Sequence, residues 1–336
     1  MKTPSSDPGI SVIIVNWNGL ALLDECLQSL EKQTFQDYEI ILVDNGSTDG
    51  SAEWVRRHYP RVKLLTLKSN LGFSAGNNAG LGLARGEFIA LLNNDTKAEP
   101  DWLAVLYSCL QADGRIAACD SRVLYYDQPR LVWSSGGSYT VAGSVFARLN
   151  REPDQKDDQQ PVDVFIAIAC AALYRKKVID EIGFFDEDYF NGYEDVDWSF
   201  RAHLFGYRIV NEPRARVYHK VSTTQVHNSP EFVYHGQRNV SITFIKNMPG
   251  ALLWKYWPLH LIYMMGSFIY FAKVGQLSAF LRAKWDLIHN LPALWRKRRD
   301  LQGKARLSST AVETMLEKKW LGIKVKKFEN KNHAAG

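Results

Sequence analysis

The sequence has little of what marks secreted, zinc-binding or disulfide-stapled proteins. Its 336 residues include four cysteines, and no two of them form a CxxC motif or another close pair. A cysteine zinc site is therefore not expected, and a reduced, cytosolic environment is the simplest interpretation. The chain is polar through Gly9, and the apolar stretch 12–15 is too short for a secretory signal. We therefore expect the catalytic part to stay in the cytoplasm.

A long hydrophobic run is also missing. Residues 256–272 form a stretch of 17 uncharged residues, but it includes Pro258, His260 and Gly266. A helix that spans a membrane needs roughly 20 apolar residues. We therefore favour helices that lie in the membrane surface, with a spanning helix or a buried helix packed on the rest of the protein as alternatives.

The residues that are present indicate a globular body with a basic tail. Apolar residues make up 46% of the chain and aromatic residues 12%, which argues against disorder. The net charge of +5 is uneven, because residues 251–336 carry 16 Lys and Arg against 5 Asp and Glu. Such a tail points to an anionic surface. Nucleic acid is one candidate, but the aromatic and aliphatic content of the tail favours a membrane.

Hydrophobic patterning in the first hundred residues predicts alternating strands and helices. The strands are expected at 10–15, 39–43, 62–67 and 88–92, and the helices between them at 20–32, 52–58 and 73–85. This alternation is typical of an α/β fold with a mainly parallel sheet, in which ligands bind at the carboxyl ends of the strands. Those ends carry Asn16, Asp44, Asn70 and Asp95. We interpret this edge of the sheet as a nucleotide site.

Two turn segments at this edge carry polar side chains. Asp44 opens the turn DNGSTDG, where its carboxylate can accept hydrogen bonds from a base or a ribose, and Ser47 or Thr48 is expected to cap the next helix. The loop 70–78, NLGFSAGNN, combines glycines that let the backbone approach a ligand with amides that can bond to it. It matches neither GxGxxG nor a Walker loop. A plain turn with a capping residue is the alternative for the first segment.

Asp95 is the candidate metal anchor. It follows the apolar strand 88–92 in the sequence LNNDT, and Mg²⁺ or Mn²⁺ typically takes one or two carboxylates together with substrate phosphates and water. His219, at the end of a later apolar stretch, is a second candidate ligand. From the residues alone, a turn or cap for Asp95 and a structural role for His219 stay open.

Glu194 and Asp195 open a predicted helix that runs to about Phe205, with Gly206 as its stop. Carboxylates at a helix N-terminus are stabilised by the helix dipole, so capping is one interpretation. The other is a general base that takes a proton from a hydroxyl acceptor. A metal that holds a leaving diphosphate opposite that base would complete an in-line displacement.

Taken in this order, the motifs resemble those of the inverting glycosyltransferases of family 2, and in particular their bacterial rhamnosyltransferase-like branch. The resemblance covers about residues 10–245. The matching segments are VIIVNWNG at 12–19, VDNGSTDGS at 43–51, NLGFSAGNN at 70–78, LLNNDT at 91–96, GFFDE at 183–187, EDVD at 194–197 and VYH at 217–219. The resemblance implies the GT-A nucleotide-diphospho-sugar transferase fold, which is Rossmann-like, followed here by a helical tail that associates with a membrane.

The resemblance and the composition together divide the chain. The resemblance implies a GT-A domain over residues 10–248, and the composition adds a polar lead over 1–9 and the basic, aromatic helical tail over 249–336. Within the GT-A domain, residues 10–98 are expected to bind the nucleotide and residues 99–248 the acceptor. The polar segment 149–161 is predicted to be a mobile loop.

The resemblance also assigns roles to individual residues. Asp195 is implied as the catalytic base, and Glu194 would orient the base or the acceptor. Asp95 and His219 are implied as metal ligands, although the first position of the acidic metal motif is Asn93 here, which removes one charge. Gly136 and Gly137, with the stretch 165–172, would border the acceptor. The implied donor-binding residues are Asn16, Asp44, Asn45, Ser47, Asn70, Gly72, Asn78, Asn93 and Asn94.

The implied reaction is the transfer of a sugar from a nucleoside-diphosphate donor to a hydroxyl with inversion, assisted by Mg²⁺ or Mn²⁺. Deoxythymidine-diphosphate rhamnose (dTDP-rhamnose) is the leading donor and uridine-diphosphate hexoses come next. The basic tail indicates a glycan or polyprenyl-linked acceptor in cell-surface polysaccharide biosynthesis, at the cytoplasmic face of the membrane, with the protein peripheral or monotopic and without a nucleic-acid partner. A nucleotidyltransferase and a catalytically inactive, sugar-nucleotide-binding membrane scaffold are the alternatives.

Overall fold

The computed structural model describes residues 7–155, 159–221 and 229–320. The chain alternates strands and helices in its first hundred residues, then adds strands, and ends in helices. The elements are β1 Ile10–Asn16, α1 Leu20–Glu31, β2 Tyr38–Asp44, α2 Ser51–His58, β3 Lys63–Thr66, α3 Gly72–Leu81, β4 Phe88–Leu92, β5 Thr96–Ala98, α4 Trp102–Ala112, β6 Ile116–Tyr125, β7 Val132–Ser135, β8 Gly137–Tyr139, β9 Val145–Ala147, β10 Val162–Asp163, β11 Ala171–Arg175, α5 Lys176–Ile182, α6 Glu194–Leu204, β12 Arg208–His219, α7 Pro230–Asn247, α8 Gly250–Lys273, α9 Leu277–Lys304 and α10 Ser309–Met315.

Ten of these strands form one sheet, whose main path runs β10-β12-β6-β11-β4-β1-β2-β3. The strands predicted from the first hundred residues are parallel neighbours, as expected, and Asn16 of β1 is the register partner of Asp44 of β2. Beyond β4 the sheet is mixed, because β11 runs antiparallel to both β4 and β6. Both halves of the predicted GT-A domain therefore contribute strands to the same sheet.

Hydrophobic side chains cover both faces of the sheet. Because successive residues of a strand point to opposite faces, Val12 and Ile14 of β1 pack in one cluster with α1 and α4. Ile13, between them, packs in a second cluster with α5 and α6. This arrangement is the three-layer α/β architecture, and it explains why the sequence of β1 is apolar at every position from Val12 to Ile14.

The tail packs on the α/β body through a third cluster. Leu252 of α8 and Leu301 of α9 are buried together with Phe244, Tyr139 and Phe200 from the body. The 17-residue stretch 256–272 lies within α8. No helix among the described residues is long and apolar enough to cross a membrane. Residues 321–336 of the predicted tail, and residues 1–6 of the predicted lead, lie outside the described residues.

Two local expectations are wrong. The helix α2 begins after Gly50 without a side-chain cap, because Ser47 is engaged with Asn18 and Asn16 instead. Of the segment predicted to be a mobile loop, the described residues 149–155 are anchored. The buried carboxylate of Asp154 contacts Arg216 at 2.5 Å and Arg122 at 3.3 Å, which a pattern of local polarity does not reveal.

Candidate active site

Three strand ends meet in a buried hydrogen-bond cluster at the carboxyl edge of the sheet. The side chain of Asn16 is fully buried and donates to Asp44 Oδ1 at 3.3 Å. Asn94, after β4, donates to Asn16 Oδ1 at 2.7 Å. The backbone N–H of Ser47 donates to Asp44 Oδ2 at 3.2 Å. Each carboxylate oxygen can accept a second hydrogen bond, so Asp44 can still bind a nucleoside as predicted.

The loop 70–78, which we call the donor loop, is held in place by hydrogen bonds from amide side chains. Asn45 Nδ2 donates to Asn70 Oδ1 and to the carbonyl of Gly72, both at 3.0 Å. Asn70 Oδ1 also accepts from the N–H of Gly72 at 2.9 Å. Gly72 has φ +87°, and a Cβ there would lie 2.3 Å from the carbonyl oxygen of Phe190. A glycine is therefore required where this loop meets the segment that precedes Glu194.

Asn78 contacts that same region from α3. Its Nδ2 donates to the carbonyl of Phe185 at 2.9 Å and to Glu187 Oε1 at 3.0 Å, and its Oδ1 accepts from the N–H of Phe185 at 3.3 Å. These bonds hold the segment 185–187 against the helix. The structure thus gives Asn78 a supporting position, and its role in donor binding stays a prediction.

The structure brings together Asp95 and His219, which are 124 positions apart in the sequence. Asp95 directly precedes β5, which pairs antiparallel with the end of β12, and His219 Nε2 lies 3.1 Å from Asp95 Oδ1. The His219 ring also meets the ring of Trp133 edge-on at 4.8 Å. Its Nδ1 is buried and has no hydrogen-bond partner among the described residues. Asn93, at the start of the turn, is tied by its N–H to the carbonyl of Cys170 at 2.9 Å.

Asp95 and His219 fit a divalent cation whose remaining ligands come from the substrate and water. Among the residues that the structure describes, no group of three or more His, Cys, Asp or Glu forms a metal site. Mg²⁺ and related hard ions commonly use one or two protein ligands, with phosphate oxygens and water as the others. A carboxylate beside a buried imidazole that lacks one hydrogen-bond partner suits such an incomplete donor set. Asp95 and His219 are therefore the residues that would hold the ion.

Glu194 and Asp195 begin α6 after a strained residue. Tyr193, at the N-cap, has φ +76°, an uncommon conformation for a residue with a bulky side chain. Asp195 Oδ2 accepts from the N–H of Ala169 at 3.1 Å, and its Oδ1 accepts from the N–H of Val196 at 2.8 Å. Glu194 is 5% exposed, and its Oε2 has no hydrogen-bond partner in the described part of the chain.

Both carboxyl groups are poised to hold protons at higher pH than usual. Burial raises the pKa of Asp195, and the N–H donors of Ala169 and Val196 oppose that effect. Burial also raises the pKa of Glu194 well above its ordinary value, and the neighbouring Asp195 charge adds to it. A carboxylate made more basic in this way is suited to accept a proton near neutral pH.

Asp197, two positions along the same acidic run, is a structural residue. Its fully buried carboxylate lies 2.8 Å from Lys246 Nζ and 2.9 Å from Arg201 Nε, and it accepts from Asn247 Nδ2 at 2.8 Å. Burial works to raise its pKa, but Lys246 and Arg201 outweigh that effect and lower it. The EDVD run therefore contains one carboxylate locked in ion pairs and two that are not.

One short segment links the two halves of the candidate site. Ala169 donates to Asp195, and the next residue, Cys170, accepts from Asn93 beside Asp95. The segment 186–190 makes a second link, because the carbonyl of Phe190 accepts from the N–H of Phe73 in the donor loop at 2.7 Å. The predicted base, the predicted metal ligands and the predicted donor residues thus lie at the same edge of the sheet.

Sequence reasoning missed Asp120, a fully buried acid on β6. Its Oδ1 accepts from the N–H of Ile168 at 2.8 Å, next to the residue that binds Asp195. Burial raises the pKa of Asp120 to about 8, with the Asp195 charge as a smaller contribution. The available signal was an aspartate directly after the apolar run 116–119, inside a segment that reads as a buried strand.

The chain belongs to glycosyl transferase family 2, whose model matches residues 11–183. It is 29% identical over 216 residues to an uncharacterized glycosyltransferase of Bacillus subtilis, YwdF, covering 63% of this chain and 74% of that protein. It is 28% identical over 241 residues to an N-acetylglucosaminyl-diphospho-decaprenol L-rhamnosyltransferase of Mycobacterium tuberculosis, covering 64% and 77%. It is 28% identical over 248 residues to an uncharacterized protein of Sinorhizobium fredii, covering 67% of this chain but only 26% of that relative.

Solved structures confirm the GT-A-type α/β fold. The chain is similar to GalNAc-T7, solved with UDP, GalNAc and Mn²⁺, with a TM-score of 0.58 and 18% identity over 71% of this chain and 48% of the other. It is also similar to the mannosyltransferase PcManGT of Pyrobaculum calidifontis, solved with GDP-Man and Mn²⁺, with a TM-score of 0.53 and 19% identity. That second likeness covers 90% of this chain and 85% of the other. The predicted family and fold are both confirmed.

Proposed function

We propose that this protein transfers a sugar from a nucleoside-diphosphate donor to a hydroxyl acceptor with inversion of configuration. The observation that carries the proposal is a pair of hydrogen bonds at the edge where β1, β2 and β4 end: Asp195 accepts from Ala169, and Asn93, two residues before Asp95, donates to the adjacent Cys170. The carboxylate that would act as the base and the turn that carries the candidate cation ligand are thus attached to neighbouring residues. This proximity supports a displacement at an anomeric carbon in which both take part.

The chain's own residues account for the proton and for the orientation of the reactants. Asp195 accepts the proton of the acceptor hydroxyl, whose oxygen bonds to the anomeric carbon as the bond to the diphosphate breaks. Glu194 lies beside the base and orients either the base or the acceptor. Asn16, Asp44 and the donor loop bind the nucleoside. A divalent cation at Asp95 and His219, when bound, would supply positive charge for the leaving diphosphate.

We further propose dTDP-rhamnose as the donor and a polyprenyl-linked glycan as the acceptor. The mycobacterial relative is named as a rhamnosyltransferase that acts on a diphospho-decaprenol substrate, which supports rhamnose as the sugar and a polyprenyl-linked acceptor. A lipid-linked acceptor requires the site to work next to a membrane. Two features of the tail support that location, at the cytoplasmic face of the membrane.

The first feature is an apolar stripe on α8. Large side chains on one side of the helix pack on the body, among them Leu253, Tyr256 and Tyr263. Other large apolar side chains recur every three or four residues and are exposed. We call them the α8 stripe, which consists of Trp254, Leu261, Ile262, Met265, Phe268 and Ile269. Side chains of this kind on one helix face are typical of a helix that lies in the interface of a bilayer.

The second feature is a matching stripe on α9, flanked by basic residues. The α9 stripe consists of the exposed residues Leu281, Trp285, Ile288 and Trp295. Arg282, Arg296 and Arg299 are exposed on the same helix. The rings of Phe268 and Phe280 are 5.9 Å apart, so α9 contacts α8 at one member of the α8 stripe, one residue before Leu281 of the α9 stripe. Basic residues beside an apolar stripe favour an anionic bilayer.

A donor-hydrolysis assay tests the transfer reaction. The detergent-purified protein is incubated with dTDP-rhamnose and uridine-diphosphate sugars in the presence of Mg²⁺, Mn²⁺ or EDTA, and binding of each donor is titrated in parallel. Release of nucleoside diphosphate from a donor that binds, lost in EDTA, is expected. Release of pyrophosphate in a reaction with nucleoside triphosphates would instead indicate a nucleotidyltransferase. Donor binding without turnover, also after addition of a polyprenyl-linked acceptor, would indicate a scaffold.

Vesicle flotation tests the membrane location. The wild-type protein should float with vesicles that contain phosphatidylglycerol and much less with pure phosphatidylcholine. Trp285→Ser should weaken binding about tenfold, since burying a large apolar side chain contributes about 1.5–3 kcal/mol. Leu83→Gln changes another exposed apolar side chain, outside the tail, and serves as the control. Equal flotation of both variants would refute the assignment of the α9 stripe.

A further inference from the structure

The buried acid Asp120 lies in the middle of the sheet and binds the residue next to the one that the candidate base binds. It lies on β6, with Ala172 of β11 and Asn211 of β12 as its neighbours in the register. Its Oδ1 accepts from the N–H of Ile168 at 2.8 Å, and its Oδ2 accepts from Asn211 Nδ2 at 2.9 Å. The transfer reaction described above assigns no task to this residue.

Three consecutive N–H groups of the segment 167–169 are held by side chains. The N–H of Ala167 donates to Ser199 Oγ at 3.2 Å, the N–H of Ile168 to Asp120 Oδ1 at 2.8 Å, and the N–H of Ala169 to Asp195 Oδ2 at 3.1 Å. Asp120 and Asp195 therefore bind neighbouring peptide groups of one segment. The Ile168 N–H belongs to the Ala167–Ile168 peptide and the Ala169 N–H to the next peptide, so a displacement of Ile168 moves the donor that Asp195 uses.

Asp120 is itself held in place. Asn211, which donates to it, also donates to the carbonyl of Ser121 at 2.9 Å and accepts from Ser135 Oγ at 2.6 Å. These partners lie on β6 and β7, so the chain of bonds ends in the sheet. The segment 164–170 has a second attachment, since Ile166 exchanges two backbone hydrogen bonds of 3.0 Å with Gly137. The carboxyl group of Asp120 is thus a rigid support for Ile168.

We propose that Asp120 is a positioning residue for the base of the transfer reaction: it fixes the Ala167–Ile168 peptide, and through Ile168 the next peptide, so that the Ala169 N–H stays directed at Asp195. The inference rests on the proposed role of Asp195 and adds a residue to it. Without this support, the Asp195 carboxyl group loses one of its two backbone donors and rotates away from the acceptor. A shift of about 1 Å in a reacting group can reduce turnover about 100-fold.

The pH dependence of turnover reports this support directly. A hydrogen bond to an ionised carboxylate lowers its pKa, so loss of the Ala169 donor should raise the pKa of Asp195. Burial raises the pKa of Asp120 to about 8, so at pH 5–7 its removal takes away little charge. The ionisable groups that interact with Asp195 are Glu194 and Tyr193 beside it, Asp120 on β6, and Cys170 and Tyr174 at β11. Burial also raises the pKa of each of these others, which reduces their charge in this range.

The test compares Asp120→Ala with Asp120→Asn across pH 5–8. The alanine variant should lose at least tenfold in kcat with an unchanged donor KM, and the acidic limb of its pH profile should move to higher pH by about half a unit or more. Asparagine keeps an oxygen for the Ile168 N–H but directs its own N–H₂ group at Asn211. It should therefore lower the melting temperature and yet keep the wild-type acidic limb.

Glu212→Gln is the matched control. Glu212 is an equally buried acid, on β12, whose register partner is Ser121, and it contacts Arg214 rather than the segment 167–169. It should change the melting temperature without moving the acidic limb. An unmoved limb in Asp120→Ala, or the same displacement in all three variants, would overturn the inference.

Ser199→Ala keeps the inference testable if Asp120→Ala does not fold. It frees the Ala167 N–H of the same segment and should move the acidic limb in the same direction by a smaller amount, while no movement would count against the inference. Asp195→Asn separates this question from the proposed function. Full turnover of Asp195→Asn would refute the assignment of Asp195 as the base. An inactive Asp195→Asn variant together with a normal Asp120→Ala variant would refute only the positioning role of Asp120.

Discussion

Two aspartates in the run EDVD should respond to the same substitution in opposite ways. Asp195→Asn should abolish transfer and leave folding intact, whereas Asp197→Asn should destabilise the protein. The two side chains are two positions apart on α6, but Asp197 contacts Lys246, Arg201 and Asn247, while Asp195 contacts only backbone N–H groups among its assigned hydrogen bonds. The comparison therefore separates catalysis from stability within a single helical turn.

The expected loss of stability follows from the buried ion pairs of Asp197. Removal of one partner of a buried pair costs about 3–5 kcal/mol. The lower value applies here because Lys246 keeps Asp186 at 2.6 Å and Arg201 keeps the carbonyl of Ile182 at 2.7 Å. A loss of about 3 kcal/mol corresponds to a decrease of about 4 °C in melting temperature for a protein of this size.

The sign of the pH dependence gives a second check. The pKa of Asp197 is lowered in the folded state, so its stabilisation is present above the unfolded pKa of about 3.9 and is lost as pH falls through the folded pKa. The difference in melting temperature between wild type and Asp197→Asn should therefore shrink below about pH 4.

Asp195→Asn has the opposite signature. Because the pKa of Asp195 is raised in the folded state, its ionisation opposes folding above the unfolded pKa, and the asparagine variant should melt at or above the wild-type temperature at pH 8. Its kcat should fall by about 100- to 10,000-fold, the usual contribution of a general base. Calorimetry and the donor-hydrolysis assay measure both variants. Near-normal turnover by Asp195→Asn, or a stable and inactive Asp197→Asn, would refute this division of roles.

Further expected outcomes concern the neighbouring residues. Glu194→Gln should raise the melting temperature more at pH 8 than at pH 5, since the raised pKa of Glu194 opposes folding as the group ionises; an equal shift at both pH values would contradict this. Gly72→Ala should weaken donor binding in a titration and lower stability by at least about 1–2 kcal/mol, the cost of a left-handed residue, whereas Gly236→Ala, with open space around it, is the control. His219→Ala should raise the Mn²⁺ concentration needed for half-maximal donor hydrolysis, and an unchanged titration would exclude it as a ligand.

The parts of the fold that could be predicted from the sequence are those determined by residues close together in the chain. An unbroken apolar run such as 10–15 forms a strand buried on both faces, and in a parallel sheet its polar end, Asn16, must lie beside the end of the next strand, Asp44. The nucleotide edge could therefore be predicted from strands and their ends. The identity of Glu194 and Asp195 as a pair at a helix start followed in the same way.

The parts that did not follow depend on contacts between distant segments. The role of Asp197 is set by Lys246 on another helix, and that of Asp154 by Arg122 and Arg216, which nothing near these residues in the sequence indicates. Asp120 is hidden for the same reason, since its partners come from β12 and from the segment before β11. Polarity alone indicates a surface, whereas a buried acid is recognised only by the donors around it.

Ion pairs join α9 of the tail to the segment that leads to the candidate active site. The position of the tail therefore affects the position of the candidate base. Lys297 of α9 lies 2.6 Å from Asp186 and 2.7 Å from Asp188, in the segment that supports the donor loop and leads to Glu194. Arg298, the next residue, donates to the carbonyls of Ile245 and Met248 at 2.6 Å and so fixes the end of α7. If the α9 stripe lies in the membrane surface as proposed, these contacts set the height and the orientation of Asp195 above the bilayer. A polyprenyl-linked hydroxyl is confined to that surface, so the same contacts would then determine which acceptor lengths can reach the base.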